Sequence, residues 1–203
     1  MTIKRLGNGT YDVGGGVTVP SVTTVLQVGN PRYQLGHTTD AEQFAMQRGS
    51  EVHDVIAHIL AGYIVEDLDP IVAPFVAAWT AFREEMGFEA THYELPVYSA
   101  RYGYAGTLDA IGLMRLANPK LRDRLGVFDW KTCSTFATTK AMGPQTAAYE
   151  QARFESSAAK CRRINRFIVM LRNDGQFRVV PMKDRNDFNT FLSCKNVWEW
   201  INK

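Results

Sequence analysis

The chain has 203 residues, 45% hydrophobic and 22% charged, which fits a folded globular protein with a substantial core and excludes extensive disorder. A net charge of +2 permits a nucleic-acid partner without arguing for one, so any basic footprint has to be local. Cys133, Cys161 and Cys194 are too few and too widely spaced for a disulfide framework, a zinc site or an iron–sulfur cluster, and they read as free thiols in a reducing cytoplasm. No apolar run is long enough to span a bilayer, and MTIKRLGNGTY lacks a signal core. The expectation is a soluble, cytoplasmic protein with no membrane partner.

In chain order, residues 7–26 (GNGTYDVGGGVTVPSVTTVL) read as a short strand or hairpin, then a short helix opened by Pro20 and Ser21. The GGG at 14–16 is not followed by GK[ST], so it is a turn rather than a phosphate loop. Residues 40–62 read as a helix capped by Asp40, with Val52, Val55, Ile56, Ile59 and Leu60 on one face. A second helix covers 70–86, between Pro70 and Gly87. The period then changes. Residues 92–99 (HYELPVYS) and 103–114 (GYAGTLDAIGLM) suit strands, the second with glycines that mark a bend, and GVFDWK follows the polar RLANPKLRDRL as a third. Gly143 and Pro144 open a helix to about Lys160, INRFIVMLRN and QFRVVPM are two further strands, and 184–202 is a closing amphipathic helix carrying Phe188, Phe191, Leu192 and Trp198. That order makes an α/β domain with a mixed sheet.

The chemistry concentrates in VFDWK. Side chains alternate along a strand, so Phe128 and Trp130 share one face and Val127, Asp129 and Lys131 the other. The first pair suits a core; Asp129 and Lys131 then project together on the opposite side. Asp109, between Leu108 and Ala110, is a second acid in an apolar strand, where a charge is expensive unless paired or ligated. Neighbouring strands lie about 4.8 Å apart, so the two carboxylates could reach one ion that relieves their repulsion. Oxygen ligands with room for water suit Mg²⁺ or Mn²⁺. A lysine beside such a site positions or deprotonates a water, or neutralises charge on a phosphate. D-x-K alone would be read as an exposed pair on an edge strand; Asp109 shifts the balance.

GTLDAIG, VFDWKT and QTAAYEQA, in that order on strand, strand and helix, resemble the motifs of the PD-(D/E)XK nuclease superfamily, nearest its RecB-like exonuclease branch. They match its G-x-x-D (Gly106 to Asp109), (D/E)-x-K (Asp129 to Lys131) and Q-x-x-x-Y (Gln145 to Tyr149). RGSEVH, residues 48–53, resembles the branch's R-G-x-x-x-H. The small size and PSVTTVL are similar to short single-domain members such as phage-type and mitochondrial single-strand exonucleases. The resemblance implies a restriction-endonuclease-like α/β core, a central mixed sheet flanked by helices with an N-terminal helical elaboration. Over a single domain 1–203, residues 1–90 would be mainly helical, 91–182 the catalytic sheet and 183–203 the C-terminal helix.

The resemblance also implies roles. His53, Asp109, Asp129 and the backbone carbonyl of Trp130 would hold Mg²⁺ or Mn²⁺. Lys131 would be the catalytic lysine beside Asp109 and Asp129, and Gln145 and Tyr149 would hold the DNA strand or order the site. The implied activity is that of a metal-dependent deoxyribonuclease. It would be an exonuclease on single-stranded DNA or DNA ends in replication, recombination or repair, leaving a 5′-phosphate. A four-cysteine iron–sulfur clamp, carried by some members, is not expected here.

These residues also have ordinary readings. A lone histidine at the edge of an apolar stripe, as His53 is, usually packs or caps. Gln145 and Tyr149 share a helical face, and Tyr149 beside Ala147 and Ala148 suits a core. Arg48 is a candidate phosphate contact, although most arginines are merely solvated. Glu94 stays outside the ligand set, reaching the ion at most through a water. KCRRINR, residues 160–166, reads as cations favoured at a helix C-terminus rather than a DNA contact. His58 and His92 read as surface or structural residues, and Trp79, Trp198 and Trp200 as packing for the outer helices. The alternatives are a structure-specific endonuclease or resolvase of the same fold, and a non-catalytic DNA-binding module on a nuclease fold.

Overall fold

The computed structural model describes residues 2–29, 39–115, 124–156 and 163–203. The expected helix end at Lys160, Cys161, the start of the 160–166 cluster and most of the RLANPKLRDRL connection lie outside them.

Three short strands open the chain: β1 (Lys4–Arg5), β2 (Thr10–Asp12) and β3 (Thr18–Pro20), an antiparallel sheet. The β2–β3 turn passes through Gly14, Gly15 and Gly16, all at positive φ, which explains the triple glycine. Helix α1 (Val22–Gln27) starts where the Ser21 side chain accepts the Thr24 N–H. Helix α2 (Asp40–Leu60) is capped by Thr39, not Asp40: Thr39 and Glu42 form a capping box, and Asp40 sits in the first turn, where a negative charge suits the helix dipole. Helix α3 (Ala73–Glu85) begins later than expected, because Pro74 rather than Pro70 occupies its first turn. Before it, Asp69 binds the turn through its side chain to Ile71 N–H and its carbonyl to Val72 N–H.

The main sheet has five strands in the order β4 (Phe88–Ser99), β5 (Tyr104–Met114), β6 (Arg124–Cys133), β7 (Asn165–Arg172) and β8 (Phe177–Pro181). It is the expected mixed sheet, antiparallel except for β6–β7. A parallel pair needs a crossover, and α4 (Met142–Ser156) supplies it. Helix α5 (Asp187–Ile201) closes the described chain. Strand β4 starts at Phe88, earlier than expected, and the first ninety residues hold a small sheet as well as helices.

Both faces of the main sheet are covered, so β6 is buried on each side. Under α2 and α3, Phe128 and Trp130 join Trp79, Phe82, Phe88 and Phe167. Phe128 lies 4.7 Å from Phe88 edge-on and 4.9 Å from Phe167 in a stack, between ring centroids. Such pairs add about 0.5–1.5 kcal/mol each beyond area burial. This slab fixes which way β6 faces. On the other side Val127, Leu108 and Tyr104 pack with Val22, Val25, Ala148, Tyr149 and Phe191 of α1, α4 and α5. Trp79 and Trp198 pack as expected, but Trp200 is 77% exposed. Two residues advance about 200° around a helix, so Trp200 points opposite Trp198.

The expected bend in β5 falls at Asp109 rather than at a glycine. Leu108 packs in one core layer and Ala110 in the other, although regular alternation would give them one face. On β4 the pairing passes from Tyr93↔Ala110 to Leu95↔Leu108, and the residue between, Glu94, has φ +44°. Gly106 instead serves close packing: a Cβ there would sit 2.5 Å from Tyr149 Cε1.

Candidate active site

The β5–β6 ladder ends at Ala110↔Phe128, one residue short of Asp109 and Asp129. Beyond it the Asp109 carboxylate takes over: its Oδ2 accepts the Trp130 backbone N–H at 2.7 Å. The Trp130 carbonyl faces His53 Nε2 at 3.0 Å, and His53 Nδ1 lies 3.3 Å from Asp109 Oδ1. The aromatic slab holding Phe128 and Trp130 thus leaves Asp129 and Lys131 facing α4. There Lys131 Nζ lies 2.6 Å from Asp129 Oδ2, while Gln145 Nε2 donates to Asp129 Oδ1 at 3.1 Å and contacts the Tyr149 hydroxyl at 3.3 Å.

These groups line a cavity of about 290 Å³. His53, Glu94, Asp109, Asp129, Lys131, Gln145 and Tyr149 all contribute to its wall. Arg48 does not; it lies five residues before His53 on α2, and its guanidinium sits over the Phe75 ring at 4.8 Å. His58 is exposed and contacts the Asp54 carbonyl, and His92 is exposed too.

The protonation balance follows from the geometry. Burial opposes charge on His53, but the Asp109 carboxylate outweighs it and raises the pKa to about 9. Glu94 keeps part of its surface in solvent, yet desolvation and then the Asp109 charge raise it to about 7. Burial, which Lys131 only partly offsets, and the Asp109 charge also push Asp129 upward. Burial works the same way on Asp109, yet His53, Lys131 and the Trp130 N–H together hold it below the usual carboxylate range. Lys131 is raised, since Asp129 and Asp109 overcome its burial, so it is an ammonium here.

The residues fit a hard divalent cation. One ligand atom each from His53, Glu94 and Asp109 lie within 4.8 Å of one another, the expected reach of a shared ion. Asp129 Oδ2 is buried and, among the described residues, meets only the Lys131 ammonium, so it keeps a lone pair. Such an oxygen is available to a cation. The ligand-atom cluster therefore contains Glu94, which the sequence left out, while Asp129 stands beside it holding Lys131 and Gln145. The sequence carried no readable signal for Glu94, because the positive φ that turns it toward Asp109 is a tertiary feature. The cavity also takes in Arg5, Ser21, Thr23 and the hydrogen-bonded hydroxyls of Tyr11 and Thr107, 2.9 Å apart. Of these, Ser21 and Thr23 lay in PSVTTVL and Thr107 in GTLDAIG, both stretches that the sequence had marked, but none had been given a role.

No family model matches the sequence, and no curated protein matches it. Among solved structures, the chain is similar to a candidate exonuclease from Eubacterium rectale, with a TM-score of 0.51 and 12% identity over 87% of this chain and 77% of that one. An alkaline exonuclease from Laribacter hongkongensis gives a TM-score of 0.40 and 12% identity over 90% of each chain. The first likeness shows a shared fold, in agreement with the restriction-endonuclease-like core that the motifs imply.

Proposed function

We propose that this fold carries a metal-dependent deoxyribonuclease, a single domain over residues 1–203 that hydrolyses phosphodiester bonds as an exonuclease on single-stranded DNA or DNA ends. Roles in replication, recombination or repair are part of the same reading. The observation that supports it best is the meeting of His53, Glu94, Asp109, Asp129 and Lys131 in one cavity. The exonuclease description of the Eubacterium rectale structure is in line with it.

His53, Glu94 and Asp109 would hold Mg²⁺ or Mn²⁺, with Asp129 as a further oxygen. When bound, the ion supplies polarisation of the phosphoryl oxygen and a water of lowered pKa. The chain's own residues do the rest. Lys131, charged and anchored by Asp129, holds the attacking water and neutralises charge that builds on the phosphate. Gln145 keeps Asp129 aimed, and Tyr149, buried behind it, fixes Gln145. Both are buried, so ordering the site suits them better than contacting a strand. The Trp130 N–H and carbonyl orient Asp109 and His53 from one peptide position.

A time course on 5′- and 3′-labelled single- and double-stranded DNA, beside a circular substrate, tests this. The expected result is loss of nucleotides from ends in Mg²⁺, intact circles, and no hydrolysis in chelator. Cleaved circles would establish the endonuclease or resolvase alternative. DNA binding without hydrolysis in either metal would establish the non-catalytic one. Hydrolysis that persists in chelator overturns the reading.

A further inference from the structure

The face of the sheet that carries Lys131 continues sideways into a second, basic feature. In the β6–β7–β8 register Lys131 pairs with Met170 and Met170 with Arg178, and one row on Cys133 pairs with Arg172. Paired residues in neighbouring strands point to the same side, so Lys131, Met170, Arg178 and Arg172 share the α4 face. Phe136, in the loop after β6, packs against the buried cluster of Met142, Ile168 and Met170, as Val180 does. Two guanidiniums lie on its ring: Arg172 at 4.9 Å and Arg178 at 4.6 Å from the centroid. Arg172 is paired with Asp174. Arg178 is exposed and has no acidic partner among the described residues. Its charge therefore stands open to solvent.

Resting on the nuclease reading, we propose that Phe136, Arg172 and Arg178 form a binding platform for single-stranded nucleic acid running past Lys131, in which Arg178 contacts a backbone phosphate. The platform offers the anionic backbone a cation, and the guanidinium planes held on Phe136 offer bases a surface to stack on. Stacking on Phe136 pre-orders the Arg178 guanidinium while its charge stays in solvent. Lys131 and Arg178 are two strand spacings apart, about 10 Å between backbones. At ~3.4 Å or more per nucleotide, a strand with its scissile phosphate at Lys131 reaches Arg178 within a few nucleotides.

The test is equilibrium binding of a labelled single-stranded oligonucleotide by the full chain in chelator, across a salt series, with hydrolysis in Mg²⁺ followed in parallel. Arg178→Gln weakens binding about tenfold, the expected cost of a charged contact. It also reduces the slope of log affinity against log salt by about 0.7, one phosphate on a single strand. Phe136→Leu, which keeps an apolar side chain on that cluster and removes the ring, weakens binding as well. Arg115→Gln, an exposed arginine paired with Glu89 at the far end of β5, changes neither quantity. An Arg178→Gln protein with unchanged affinity and slope, while the parent binds and cuts, overturns the platform and leaves the nuclease standing. So does a lowered melting temperature with an unchanged slope, which would mean that the stack only anchors the loop. A parent that binds with this arginine dependence but never cuts keeps the platform and removes the nuclease. A parent that does neither removes both.

Discussion

Gly106→Ala is a small change with a calculable cost. Gly106 has an ordinary negative-φ backbone, so an alanine there is not strained, and its lower chain entropy would by itself stabilise the strand by about 0.5–1 kcal/mol. Space decides otherwise. The new Cβ would meet Tyr149 Cε1 at 2.5 Å, Tyr149 Cδ1 at 3.2 Å and Val22 Cγ2 at 3.3 Å. Ordinary carbon contacts lie near 3.5–4.0 Å, so the ring has to move by about 1 Å. Tyr149 is only 4% exposed and Val22 fully buried, so neither can swing into solvent. Overpacking of this kind costs about 1–3 kcal/mol. For a chain of this size that lowers Tm by about 2–12 °C. The displaced ring also loosens Gln145, which holds Asp129, so the hydrolysis rate falls in the folded variant. Thermal unfolding by circular dichroism and the Mg²⁺-dependent rate below Tm are the assays. Gly106→Ala/Tyr149→Leu should lose less than the two single changes added together, because they share one clash. A Gly106→Ala protein that melts within ~1 °C of the parent or above it would refute the packing argument.

Three further outcomes follow from the same geometry. Lys131→Met loses hydrolysis but still binds Mn²⁺ in calorimetry; retained hydrolysis would remove the lysine from the chemistry. Glu94→Gln weakens Mn²⁺ binding by roughly tenfold or more, by analogy with the cost of disturbing metal-site partners, and an unaltered isotherm would put Glu94 outside the ligand set. In chelator, folding stability declines with rising pH. The folded-state pKa values of Glu94 (about 7, from 4.5) and His53 (about 9, from 6.5) are both raised. Each contribution is therefore complete below the unfolded value and is lost as pH rises through the folded one. Urea midpoints should fall between about pH 5 and pH 9, and His53→Gln should flatten the part above about pH 6.5. Metal binding needs Glu94 ionised and His53 neutral, so it tightens over the same range. A midpoint that rises with pH in the parent contradicts the assigned partners.

Much of this protein is local and therefore written in its sequence. The two-residue alternation of Phe128, Asp129, Trp130 and Lys131 dictates that aromatic core and charged pair lie on opposite faces, whatever the strands beside them. Four-residue spacing on α4 likewise brings Gln145 and Tyr149 together. Element type followed wherever the hydrophobic period was clear. Boundaries slipped where two residues competed for one role, as Thr39 did with Asp40 and Pro74 with Pro70. What only the tertiary structure decided is how distant segments meet. The register that sets Asp109 against Trp130, the left-handed backbone at Glu94 that turns its carboxylate toward His53 and Asp109, and the row from Lys131 to Arg178 all depend on pairings between strands far apart in the chain. A residue's own neighbours carry no record of such pairings, because the energy that selects them comes from burying both sheet faces at once.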